Sequence, residues 1–301
     1  MGADVALHFP ASRECFEQAS AAVGYDMLSL VTNGSEDRLR ETRVSQPAIF
    51  TANVAIYRAV ESIGFTPLVS AGHSFGEYCS LTIARSLSFG DAVRLVNERG
   101  LAMGAAADLA PGSMAAIIGF DREKVEAVCA QARVATGARV DVANLNAPVQ
   151  IVVSGDVDGV NAVCEFAKSA GAKRVVVLNV SGAWHSALME PAIARFAGHV
   201  ESARFELPAF DVISNVDVAS YRSVEDIKRC LIASLCARVR WHETAVALAA
   251  KRPDFIIECG ATPVLTPMMK RLPDVATDRI LHVGDAAGVA ALAAAAEKLP
   301  A

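Results

Sequence analysis

The most constraining stretch of the chain is Gly72-His73-Ser74-Phe75-Gly76, a G-x-S-x-G between the short apolar run Pro67–Ala71 and a helical pattern that opens near Phe75. Strand, sharp turn and helix in that order bring the backbone so close to itself that a Cβ at the flanking positions would clash, which accounts for glycine there. The central Ser74 hydroxyl is left exposed above a helix N-terminus. There the helix dipole and the free first-turn amides, the Phe75 N–H in particular, favour a developing oxyanion. A tight turn without chemistry is the alternative, and the strand before and helix after it weigh for a nucleophilic serine.

Such a turn belongs to an α/β fold, and the remaining pattern agrees. Runs rich in Val and Ile alternate with helical patterns, the mark of a mainly parallel sheet with helical connections. Apolar residues recur at helical spacing from Pro47 to Ile63. They do so again from Asp91 to Ala107, where Leu95, Val96 and Met103 share a face until Pro111-Gly112 ends the pattern. Between Pro111 and Val180 the order becomes strand (113–119), helix (122–135), strand (139–144), strand (150–154), helix (157–170), strand (173–180). This βαββαβ order is that of a ferredoxin-like unit, compact enough to be an inserted subdomain. Two more strands of the main sheet are expected at Asp211–Asn215 and Phe255–Cys259, with a single helical pattern from Val224 to Ala250 between them. The 301 residues then divide into a large domain over 1–110 and 180–301 and a small subdomain over 111–179.

A serine nucleophile needs a base. Of the six histidines, His185 is the candidate, because Ser181-Gly182-Ala183-Trp184-His185-Ser186 follows a strongly apolar strand run; a purely structural histidine is the alternative. Arg99 lies four residues after Leu95, three after Val96 and four before Met103, so it occupies the inward face of its helix. Either its stem packs while the head reaches water, or the guanidinium clamps a carboxylate bidentately, and periodicity alone does not choose.

Composition excludes more than it selects. A formal charge of −5, from 28 basic and 33 acidic residues, gives no basic excess for a nucleic-acid partner. With 53% hydrophobic and 20% charged residues the chain is not disordered. The seven cysteines are odd in number and never spaced C-x-x-C, so they read as reduced thiols. No metal-ligand motif, Walker A or G-x-G-x-x-G is present, and neither metal nor cofactor is expected. No run approaches the length of a membrane span and no signal-peptide pattern opens the chain. The expectation is a soluble, cytoplasmic, monomeric protein with no membrane partner.

Four motifs taken together identify a family: Gly72-His73-Ser74-Phe75-Gly76-Glu77-Tyr78, Val96-Asn97-Glu98-Arg99-Gly100, Asn144-Leu145-Asn146-Ala147-Pro148-Val149-Gln150, and Val180-Ser181-Gly182-Ala183-Trp184-His185-Ser186-Ala187-Leu188-Met189. In this order they resemble the malonyl-CoA:acyl carrier protein transacylases of fatty acid and polyketide synthesis, over nearly the whole chain. The resemblance implies a large α/β-hydrolase-like domain with a mainly parallel sheet and the inserted ferredoxin-like subdomain. It makes Ser74 the acylated nucleophile, His185 its base and Arg99 the partner of the malonyl carboxylate. His73, Phe75, Trp184, Asn144 and Asn215 fall at substrate-side positions. It also implies that main-chain carbonyls orient the histidine, one of them near Ser234. Trp184 stands where the family varies with the extender unit, and its bulk is expected to disfavour an α-methyl branch unless it only packs the cleft. Malonyl-CoA and an acidic carrier protein are the implied partners, with Lys173/Arg174, Arg238/Arg240 and Lys270/Arg271 as candidate docking pairs.

Family members open with a strand ending in a Gly-Gln-Gly-Ser-Gln loop whose glutamine supplies a second oxyanion donor, and this sequence holds no such stretch. The expectation is either a truncated start or a protein with one oxyanion donor fewer, a loss typically of about 10²–10³ in rate. Two other functions share these residues. A serine acyl-hydrolase or thioesterase would use Ser74 and His185, although an α/β-hydrolase usually places its histidine near the C-terminus, where only His242 and His282 lie. A non-catalytic acyl or carrier-protein binding module would follow from the missing loop.

Overall fold

The computed structural model describes residues 1–273 and 275–297. Helices α1 (Val5–His8), α2 (Pro10–Val23), α3 (Met27–Asn33) and α4 (Glu36–Arg40) pack against the long α5 (Thr42–Ser62). Strand β1 (Val69–Ala71) turns at Gly72 into α6 (Gly76–Ile83), and α7 (Phe89–Leu109) follows. Helix α5 starts earlier than its apolar spacing predicts. Proline suits a helix's first position, so Pro47 reads as a start. Here it sits in the second turn and costs one amide, the one that would reach the Arg43 carbonyl. Helices α5 and α7 cross closely because Gly100 has no side chain: a Cβ there would meet Thr42 O at 2.9 Å and Arg43 Cα at 3.1 Å. That crossing brings the first turns of α5 against Arg99.

The segment from β2 (Gly112–Ile118) through α8 (Arg122–Thr136), β3 (Val140–Ala147), β4 (Gln150–Asp156) and α9 (Val157–Ser169) to β5 (Arg174–Val177) has its own core. Its four strands are all antiparallel in the order β3-β4-β2-β5. Side chains alternate across the sheet. One face, with Ile117, Val142 and Ile151, buries against α8 and α9; the other, with Met114, Ala143 and Val152, packs with Leu178 and Trp184.

The chain continues through α10 (Glu190–Ser202), β6 (Asp211–Ile213), α11 (Val224–Ala233), α12 (Trp241–Ala249), β7 (Ile256–Cys259), α13 (Thr266–Met269), β8 (Ile280–Val283) and α14 (Ala286–Ala296). Three features differ from the sequence reading. The helix expected over 224–250 is two helices, broken at residues 234–240 by a turn segment. Strand β8 was not foreseen. The main sheet is two separate parallel ladders, β1-β6 and β7-β8, among the described residues. Beside β1 and β7 lies an apolar cavity of about 710 Å³ that both strands line.

All seven cysteines are free, four of them buried. Among the described residues no helix is long and apolar enough to cross a membrane.

Candidate active site

Ser74 sits at the apex of the β1–α6 turn with φ at 54°, in the left-handed region that a side chain adopts only when its surroundings enforce it. Gly72 makes the turn possible. A Cβ on it would lie 1.9 Å from the Gly76 carbonyl carbon, whereas Gly76 itself has open space, so only the first of the two flanking glycines is sterically required. Helix α6 begins at Gly76, which leaves the Phe75 N–H among the amides without an intrahelical partner.

His185 reaches Ser74 from 111 residues further along the chain. Its Nε2 lies 2.7 Å from Ser74 Oγ. Its Nδ1 donates to the carbonyls of Ser234, at 2.8 Å, and Ala237, at 3.1 Å, both in the segment that interrupts the expected helix. Two acceptors at Nδ1 place the ring proton there, so Nε2 presents its lone pair to the serine hydroxyl. Burial holds the imidazole down to about 3, helped by the nearby Arg99 and His73 charges and opposed by the two carbonyls. The ring is therefore neutral, with its Nε2 lone pair free to face the serine hydroxyl. His185 also has a left-handed φ, of 58°.

Arg99 is 1% exposed, which settles the choice between a snorkelling and an inward guanidinium in favour of the second. One terminal nitrogen donates to Gln46 Oε1 at 2.7 Å and the other to Ser74 Oγ at 3.3 Å. Its Nε has no partner, and among the described residues no carboxylate oxygen lies within 4.0 Å of it. Gln46 is fixed in turn by Thr42 Oγ1, at 2.8 Å, and by Met103 Sδ. These groups and Trp184 surround a cavity of about 310 Å³ between the large α/β layer and the second face of the small sheet. The larger cavity beside β1 and β7 reaches neither Ser74, Arg99 nor His185, so the smaller one is the candidate site.

The other expected residues take different places. His73 Nε2 is 3.0 Å from Asn146 Oδ1 and 3.4 Å from Asn144 Nδ2, and its ring packs on Trp241 with centroids 5.7 Å apart. His73, Phe75, Asn144 and Trp184 line the cavity. Asn215 does not; its Nδ2 donates to Gly72 O at 3.0 Å, at the start of the turn that carries Ser74. Gln46, Asn146 and Ala237 were not anticipated. A glutamine immediately before the predicted start of α5 could have been noticed on a longer helix, and Asn146 stands within the Asn144–Gln150 motif; a carbonyl at Ala237 leaves no mark in a side-chain pattern. Among the described residues no group of three or more His, Cys, Asp or Glu could hold a metal.

The sequence pattern of the acyl transferase domain matches residues 6–281. The chain belongs to the acyl transferase domain family. Among its relatives is the malonyl CoA-acyl carrier protein transacylase of Escherichia coli K12, 38% identical over 283 residues that make up 94% of this chain and 91% of the relative. The solved malonyl CoA-acyl carrier protein transacylase of Coxiella burnetii superposes with a TM-score of 0.93 at 37% identity, covering 98% of this chain and 92% of that one. A malonyl-transacylase in complex with a type II polyketide synthase acyl-carrier protein superposes at 0.89, also 37% identical, covering 96% and 93%. The resemblance drawn from four motifs thus extends over the whole acyl transferase domain.

Proposed function

We propose that the protein transfers a malonyl group from malonyl-CoA to the phosphopantetheine thiol of an acyl carrier protein. The observation that carries the reading is the Arg99 guanidinium, buried, without a carboxylate partner among the described residues and directed at the nucleophile 3.3 Å away. A buried cation of this kind demands an anion, and a malonyl group brings a free carboxylate to the same cavity as its thioester. The names of the relatives agree with this reading.

In the first half-reaction Nε2 of His185 takes the Ser74 proton as the serine oxygen attacks the thioester carbonyl. The Phe75 N–H receives the oxyanion. The carbon–sulfur bond then breaks, His185 returns its proton to the coenzyme A sulfur, and malonyl-serine remains. In the second half the carrier's thiol gives its proton to His185, attacks the ester carbonyl and expels Ser74, which is reprotonated. The kinetics are ping-pong.

The finer architecture fits this assignment. The strand order β3-β4-β2-β5 with both helices on one face supports a ferredoxin-like insertion at 111–179 in an α/β-hydrolase-like domain of 1–110 and 180–301. Of the basic pairs, Arg238 is engaged by Glu126 and Arg240 by Glu243. Lys173/Arg174 and Lys270/Arg271 are exposed and converge on one end of the small sheet: Arg271 donates to Gln150 at 2.8 Å, and Gln150 and Arg174 both pair with Ile118. This end adjoins the cavity residue Asn146 and is the dock for the acidic carrier.

Intact mass after mixing with malonyl-CoA tests the reading. A malonyl adduct absent in Ser74→Ala and discharged by carrier protein is expected. Release of free malonate without carrier would instead establish a hydrolase, and no adduct a binding module.

A further inference from the structure

Three residues beyond the nucleophile, Glu77 is fully buried and takes no part in the proton transfers above. Its Oε1 accepts from the Asn215 N–H at 2.8 Å and from the Tyr221 hydroxyl at 3.1 Å. Asn215 connects both halves of the catalytic pair. Its side chain holds the Gly72 carbonyl at the start of the nucleophile turn, and its own carbonyl accepts from Arg240 N–H at 2.9 Å, at the end of the segment whose carbonyls hold His185. One carboxylate is therefore tied through a single residue to both the turn that carries Ser74 and the segment that orients its base. Glu77 and Arg99 also oppose each other's burial electrostatically, and the Arg99 charge in turn disfavours a protonated His185.

We propose that Glu77 is a positioning residue that holds the Ser74 turn in register with the His185 segment and, as a carboxylate, offsets the Arg99 charge so that His185 can take the serine proton. This rests on the reading of Ser74 and His185 as nucleophile and base. An ionised Glu77 leaves less positive potential at the imidazole, and a protonated one exposes His185 to the whole of the Arg99 charge. Burial pushes the Glu77 carboxyl up to about 7, so it gains and loses its charge around neutrality. The groups facing it do not titrate there. Tyr78 beside it and Tyr221 ahead of α11 are raised by burial, Arg99 on α7 stays protonated, and Asn215 and Ser214 carry no charge. His185 stays neutral down to about 3.

The test is the rate at which a neutral fluorophosphonate labels Ser74, read by intact mass, because it requires no malonyl-CoA. The wild-type rate should rise about fivefold from about pH 6 to about pH 8, the part of a tenfold effect of base strength that a carboxyl near 7 expresses over that interval. Glu77→Gln should give a low, flat profile, and Glu77→Asp, which keeps the charge, should restore the rise. Thermal unfolding of all three establishes that each is folded at the assay temperature. A flat wild-type profile, or a Glu77→Gln profile superimposed on the wild type, overturns the proposal while leaving malonyl transfer intact. A folded wild type whose Ser74 is never labelled overturns the nucleophile reading and this inference with it.

Discussion

Replacing Arg99 by alanine separates recognition of the acyl group from chemistry on it. Arg99 is 1% exposed, so the proposed pairing with a substrate carboxylate would take place out of water. Hydrogen bonds to a charged group contribute about 1.5–3 kcal/mol each, and removing one partner of a buried charge pair costs about 3–5 kcal/mol. At about 1.4 kcal/mol per tenfold, malonyl transfer in Arg99→Ala should fall about 10²- to 10⁴-fold in kcat/KM. Acetyl transfer should hold or rise. An acetyl group offers the guanidinium nothing, and in the wild type its binding leaves a desolvated cation facing a methyl. The variant also strands Gln46 Oε1, which loses its 2.7 Å donor, so a lower unfolding midpoint is expected. The assay is carrier-protein acylation by each acyl-CoA at fixed carrier concentration, with melting curves to establish that the variant is folded. Malonyl and acetyl transfer falling together would refute the clamp and reduce Arg99 to a support for Ser74.

Gly72→Ala should prevent native folding, since its Cβ would stand 1.9 Å from a backbone carbon that cannot move without unwinding α6; a soluble variant with an unchanged urea midpoint would contradict this. Trp184→Ala should raise kcat/KM for methylmalonyl-CoA relative to malonyl-CoA, because the indole is part of the wall around Ser74, and an unchanged ratio would leave Trp184 a packing residue only. Charge reversal at Lys270 and Arg271 should raise KM for the carrier and spare acylation by malonyl-CoA, and equal effects on both half-reactions would move the dock elsewhere. Stability should also depend on pH through two opposed groups. His185, held at about 3 against an ordinary 6.5, contributes stability that is complete above 6.5 and lost as pH falls toward 3. Glu77, raised to about 7 from 4.5, contributes stability that is present below 4.5 and lost as pH rises toward 7. Between 4.5 and 6.5 the two slopes oppose, so the melting temperature of Glu77→Gln should climb more steeply with pH there than the wild type's, and parallel curves would refute the assignment.

The parts of the site that were legible in the sequence are those with a local signature. The strand–turn–helix around Ser74 is set by a glycine that nothing can replace, and the inward face of Arg99 follows from its spacing to Leu95, Val96 and Met103 within one helix. The βαββαβ order was legible because each of its elements alternates or repeats on its own. What escaped depends on contacts between distant segments. The break between α11 and α12 does not show in a continuous helical pattern, because the chain leaves the helix to bring the Ser234 and Ala237 carbonyls to His185. Gln46 was missed because Pro47 masks the true start of α5, and its role arises from a crossing permitted at Gly100, more than fifty residues on. Whether strands join one sheet or two is likewise a matter of partners: β1 and β7 carry the same kind of apolar run and do not pair with each other.

That separation has a consequence for the protein in solution. Among the described residues β1 bonds only to β6 and β7 only to β8, so each ladder ends in a row of peptide groups beside an apolar cleft. Unpaired edges of this sort are templates for strand addition, although strands as short as Val69–Ala71 and Ile256–Cys259 offer only a few bonds each. Any extended Val- or Ile-rich segment that reaches the cleft, including one from a partly unfolded neighbour, gains both backbone bonds and burial by entering it. Because the cleft is lined by neither Ser74, Arg99 nor His185, a segment lodged in it would leave the candidate site itself uncovered.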